Sequence, residues 1–148
     1  MENTFYLAEK FNRILERVAG EDLFDIEEDG SLKTMVHTGK TIEALGLKVD
    51  FPDGSVLVTS RTFLTIEEHN CKRLAALLKS INALEINGVF FIDEDNAISF
   101  ATKCEFDELI ELDNPFEVVF RGCEAFEMFT DSILKALSGT NTFYIRNI

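Results

Sequence analysis

Apolar and polar residues follow two different periods along this chain, and the changes between them mark its elements. Residues 4–19 repeat with the helical period: Leu7, Ala8, Phe11, Ile14, Leu15 and Val18 share one face, and Glu9, Lys10, Arg13, Glu16 and Arg17 take the other. Asn3 or Thr4 can cap this helix, Glu9 and Arg13 are spaced to pair, and Gly20 ends it. The period then falls to two. Leu23 to Ile26 and Leu32 to His37 flank Glu28-Asp29-Gly30-Ser31, and Asp-Gly between alternating runs predicts a hairpin. Residues 40–46 read as a short helical turn or a wide connection. A second hairpin pairs Leu47–Phe51 with Ser55–Thr59 around Pro52-Asp53-Gly54, and its second strand can run on through Arg61 to Leu64.

Thr65-Ile66-Glu67-Glu68 has the spacing of a capping box and opens a middle helix, whose apolar stripe is Cys71, Leu74, Leu77, Leu78, Ile81 and Leu84. After Asn87-Gly88, a third hairpin pairs Val89–Ile92 with Ala97–Ala101 around Asp93-Glu94-Asp95-Asn96. Residues 104–113 lead to the last helix, Phe116 to Leu137, with Asn114 as cap and Pro115 at its first position.

That last helix is apolar over roughly 200°, about twice the arc a surface helix needs. One stripe holds Val119, Cys123, Phe126, Ile133 and Leu137, and is expected to face the sheet. A second holds Val118, Gly122, Ala125, Phe129 and Ala136, with Met128 on the otherwise polar side. The second stripe has two explanations: an internal neighbour, with the first helix as the candidate, or a partner-protein or dimer contact. In the latter case Val118, Gly122, Ala125, Met128 and Phe129 are the partner-binding residues.

The order helix, strands, helix, hairpin, helix, without a β-α-β crossover, predicts an α+β fold: a single antiparallel sheet backed on one face by three helices. With 148 residues and no linker, the chain is expected to form one domain over 1–148, its tail 140–148 loosely packed. The element pattern also echoes itself: a helix then FDIEEDGSL, and later a helix then FFIDEDNAI.

Charge narrows the possible partners. The formal net charge is −13, and the basic residues form no stripe, so nucleic acid and anionic lipid would be repelled. The protein should be soluble and suit a basic or unfolded partner. Its 14 phenylalanines, with no tryptophan, predict a core built on phenylalanine rings. An odd count of three widely spaced cysteines fits neither a disulfide framework nor a zinc site. Without a signal peptide or a long apolar run, a cytoplasmic location is expected.

No catalytic constellation stands above background. Counted from Asp93, a calcium loop would need glycine at the sixth position and glutamate at the twelfth, where Ile98 and Cys104 stand. His69 and Cys71 point in different directions on a helix, and Cys71 and Cys123 lie on buried stripes. No glycine-rich phosphate loop occurs. No catalytic residue, no metal and no cofactor is therefore expected. A small enzyme or ligand-binding protein remains an alternative, and requires Cys104 and a histidine to converge in a cleft. An acidic inhibitor or immunity protein is another, and requires the carboxylates to gather on one face.

The element order resembles that of the YbjN and type III secretion chaperone-like families. The likeness is carried by Leu77-Leu78-Lys79-Ser80-Ile81-Asn82, by Val89 to Phe100 with its Asp93-Glu94-Asp95-Asn96 turn, and by Asn114 to Leu137. It covers the chain from about Phe5 to Leu137; residues 40–64 look more elaborate than the corresponding family region. The resemblance implies a non-enzymatic, chaperone-like or regulatory protein-binding module that homodimerises and holds a protein client on apolar surface.

Overall fold

Six strands pair antiparallel into one sheet, in the order β1-β2-β3-β4-β6-β5, in a computed structural model that describes residues 4–21, 23–37, 44–112 and 114–138. The strands are β1 (Asp25–Ile26), β2 (Leu32–His37), β3 (Ala44–Asp50), β4 (Ser55–Thr62), β5 (Val89–Ile92) and β6 (Ile98–Glu105); the helices are α1 (Thr4–Ala19), α2 (Glu68–Asn82), α3 (Phe106–Glu111), α4 (Phe116–Val119) and α5 (Arg121–Ser138). The expected cap at Asn3 or Thr4, residues 40–43 and the tail 140–148 lie outside the described residues or side chains.

All three hairpins form. Gly30 takes φ 84° at the end of the first turn, where Asp29 Oδ1 accepts from the Ser31 amide at 2.9 Å. Pro52–Gly54 makes a single 3₁₀ turn, and β3 and β4 then pair from Asp50↔Leu57 to Leu45↔Thr62, so the second strand does run on past Thr59. The third hairpin closes around Asp93, whose carboxylate gathers the turn: Oδ1 accepts from the amides of Asp95 and Ala97. β6 lies between β4 and β5, which leaves the four-residue β5 on the edge.

Alternate residues divide the sheet into a covered and an uncovered face. Leu45, Leu47 and Val49 of β3 are buried under helices, whereas Ala44, Gly46, Lys48 and Asp50 look the other way. The covered face carries two hydrophobic clusters side by side. One joins Phe11 and Leu15 of α1 to Leu47, Val49, Val58, Phe106, Leu109 and Val119. The other joins Leu74 and Leu78 of α2 to Phe90, Phe100, Phe126 and Ile133. The phenylalanine core is present: Phe11, Phe90, Phe100 and Phe126 are the largest fully buried side chains.

Four sequence expectations change. Ala44 to Gly46, expected in a helical turn or wide connection, already belong to β3, held by pairing with β2 and β4. The last helix is not continuous. Asn114 does cap it, Oδ1 accepting from the Phe116 amide at 3.1 Å, but Phe120 leaves helical geometry at φ −99°, ψ 10°. The break lets Val118 and Val119 dock on the first cluster while Ala125 and Phe126 dock on the second. The capping box at Thr65 does not form. The helix starts at Glu68 without a side-chain cap, because buried Ile66, its amide bonded to the Asn96 carbonyl at 2.7 Å, holds the preceding chain extended. Residues 106–111, expected only to connect, are helical and bury Phe106 and Leu109. One turn and a half is too short for a period to show in the sequence.

Candidate protein-binding face

The second apolar stripe of the last helix is turned inward in this chain. Val118 is 1% exposed and Ala125 6% exposed. Gly122 lies on Ser60 of β4, and Phe129 is half-buried with its ring edge-on to Phe90 at 6.2 Å. For Ala125 and Phe129 the neighbour is α2 together with the sheet, whereas Val118 lies in the cluster that α1 covers. The wide apolar arc thus wedges one helix between a sheet and a second helix. Of the five residues named for partner binding only Met128, 71% exposed, stands in solvent; it borders a hollow of about 470 Å³ with Ile86 and Arg121.

The uncovered sheet face is different. Its central row runs Met35–Gly46–Arg61–Ser99–Phe91 across five strands, and the next runs Lys33–Lys48–Thr59–Ala101–Val89. Met35 is 53% exposed, and Phe63, just past β4, is 63% exposed. The Phe63 ring lies over Gly46, where a β-carbon would come within 3.5 Å of it. Met35 and Phe63 both line a hollow of about 730 Å³ whose floor is β3. A second hollow of about 450 Å³ continues toward β5, and Thr59 and Arg61 belong to both. Phe91 and Val89 are exposed at that end. A single exposed apolar side chain needs no explanation; here Met35, Phe63, Phe91 and Val89 share one face of the sheet.

Ion pairs run through this face between its apolar ends. Arg61 spans two carboxylates, its Nε on Asp93 at 2.6 Å and a terminal nitrogen on Asp95 at 2.8 Å. Burial pushes the Asp93 carboxyl up, but the amides of Ala97 and Asp95, Arg61 and the Ser99 hydroxyl together outweigh it and hold the group below its usual range. Lys33 and Lys48 stand directly opposite each other, an unfavourable like-charge pair relieved by loose bridges of 3.8 Å to Glu27 and Asp50.

Nothing else gathers into a reactive site. Cys104 lies on the covered face against the first cluster, and burial raises its pKa; burial also raises that of Cys123, to about 11. His37 projects from the uncovered side of β2, and His69 is exposed beside Glu67, so Cys104 and the histidines do not converge. No group of three metal-ligating side chains occurs among the described residues. Exposed carboxylates occur on α1, both acidic turns, α3 and α5 rather than on one face. No described helix is long and apolar enough to cross a membrane.

No family model matches the chain, and no curated protein matches it in sequence. Solved structures do match in shape. YbjN of E. coli, a candidate transcription regulator, superposes with a TM-score of 0.56 at 17% identity, over 82% of this chain and 92% of its own. A chain of the HopA1–SchA chaperone–effector complex superposes with a TM-score of 0.59 at 8% identity, over 86% of this chain and 95% of its own. The chain has a YbjN-like, chaperone-like fold. At these identities the likeness establishes architecture: an α+β fold with one antiparallel sheet and helices.

Which face such a fold would use was hard to see in the sequence. Met35 occupies an outward position of an alternating strand, and Phe63 follows the polar end of β4. Both are signals of exposed apolar surface, but they become neighbours only through the β2–β3–β4 register.

Proposed function

We propose that this chain is a non-enzymatic protein-binding module, chaperone-like or regulatory, that holds a segment of a partner protein on the uncovered face of its sheet. The observation that carries this is the pairing of Met35 and Phe63, both more than half exposed, over one hollow on a face that no described helix covers. Covering what these two side chains expose contributes on the order of 1 kcal/mol each. The reading needs no cofactor and places the protein in the cytoplasm as a single domain. The chaperone–effector neighbour supports a protein partner.

The test compares tagged full-length protein with a Met35→Asp/Phe63→Asp double variant, both purified from the source cells. The partner recovered with the unaltered chain should fall by about tenfold with the variant, while melting temperature and circular dichroism stay unchanged. Equal recovery would sink the reading. A homodimer is part of the same proposal, with Met128 and its hollow as the candidate contact. Light scattering should give twice the chain mass for the unaltered protein and the single mass for Met128→Asp.

A further inference from the structure

We infer that the segment held on this face is extended and pairs apolar side chains with lysine or arginine. This rests on the proposed reading of the face and adds the chemistry of its occupant. Across the two hollows, the lining carries the carboxylates of Asp25, Asp50, Asp93, Glu94 and Asp95 against the cations of Lys33, Lys48 and Arg61. All three cations are already engaged, Lys33 by Glu27, Lys48 by Asp50 and Arg61 by Asp93 and Asp95. Asp25 and Glu94 have no ion-pair partner among the described residues. The face therefore offers apolar side chains at its two ends, Met35 with Phe63 and Phe91, and surplus negative charge beside each, within a chain of net charge −13. An acidic peptide would be repelled from it. A basic, apolar segment is complementary to both features.

Geometry sets the length. From Met35 to Phe91 the central row crosses four strand spacings, about 19 Å at 4.8 Å each, which an extended chain spans in about six residues. The occupant should thus place apolar side chains about six positions apart, one against Met35 and Phe63 and one against Phe91, with its basic residues reaching Asp25 and Glu94.

The experiment measures binding of two synthetic peptides by fluorescence anisotropy. Each has about twelve residues, with leucines about six positions apart; the remaining charged positions are all lysine in one and all glutamate in the other. The full chain should bind the lysine peptide at least about tenfold more tightly, and the gap should narrow as salt rises above about 0.3 M. Asp25→Lys/Glu94→Lys should shrink or invert the preference, and Met35→Asp/Phe63→Asp should abolish binding. Equal affinities, preference for glutamate, or binding of neither peptide overturns the inference. A source partner retained through Met35 and Phe63 without lysine-peptide binding leaves the reading of the face standing. A partner indifferent to Met35 and Phe63 removes both.

Discussion

Gly122 of α5 rests directly on Ser60 of β4, so closely that any β-carbon at position 122 would overlap the serine side chain. The contact is tight at a cost, since the buried Ser60 hydroxyl has no hydrogen-bond partner among the described residues. It lets the backbone of α5 descend onto the centre of the sheet, which brings Phe126 into the cluster of Phe90 and Phe100. The Phe90 and Phe126 rings meet edge-on at 5.0 Å.

Gly122→Ala should therefore destabilise the fold by about 1–3 kcal/mol through overpacking, read as a lower denaturation midpoint in urea. Ser60→Ala removes an unsatisfied polar atom and should be neutral or stabilising by about 1 kcal/mol. A Gly122→Ala variant as stable as the parent would contradict the close approach.

The two stripes of α5 should respond alike. Phe126→Ala should cost about 3–5 kcal/mol, and Phe129→Ala a smaller but clear amount, about 2 kcal/mol, because its half-buried ring packs on Phe90. Thermal melts of both variants check this. A Phe129 variant with unchanged melting would mean that its ring does not pack inside the chain.

Asn82, at the end of α2, closes the edge of the sheet. Its side-chain amide donates to the Phe90 carbonyl at 2.9 Å and accepts from the Phe90 amide at 2.8 Å, as a neighbouring strand would. Asn82→Ala should cost about 1–3 kcal/mol and expose the β5 edge to pairing. Concentration-dependent oligomers in size-exclusion chromatography, absent from the parent, are the expected outcome.

Acid should weaken the turn around Asp93. Its folded pKa lies below the usual carboxylate value, so its contribution is present above the unfolded pKa and is lost as pH falls through the folded one. Urea midpoints measured from pH 6 downward should fall below about pH 4. Asp93→Asn should start lower at neutral pH and show a shallower acid limb; an unchanged limb would mean that the contacts of the carboxylate with the Ala97 and Asp95 amides and with Arg61 are not kept in solution.

Periodicity by itself determined much of this molecule: α1, α2, the hairpins and the antiparallel class all follow from where apolar residues recur and where Asp-Gly or Pro-Asp-Gly interrupts them. These are local signals, written within a few turns or one hairpin. Tertiary structure decided what depends on distant pairs. The register of β4 with β6 puts β5 on the edge and Arg61 beside Asp93. Side-by-side clusters break the last helix at Phe120, and docking on Ser60 and Phe90 turns its second stripe inward. An apolar stripe states only that something must cover it; whether α2 or another protein does so is a comparison of contact energies between elements far apart in the chain. For the same reason Met35 and Phe63 become a surface only once three strands bring them together.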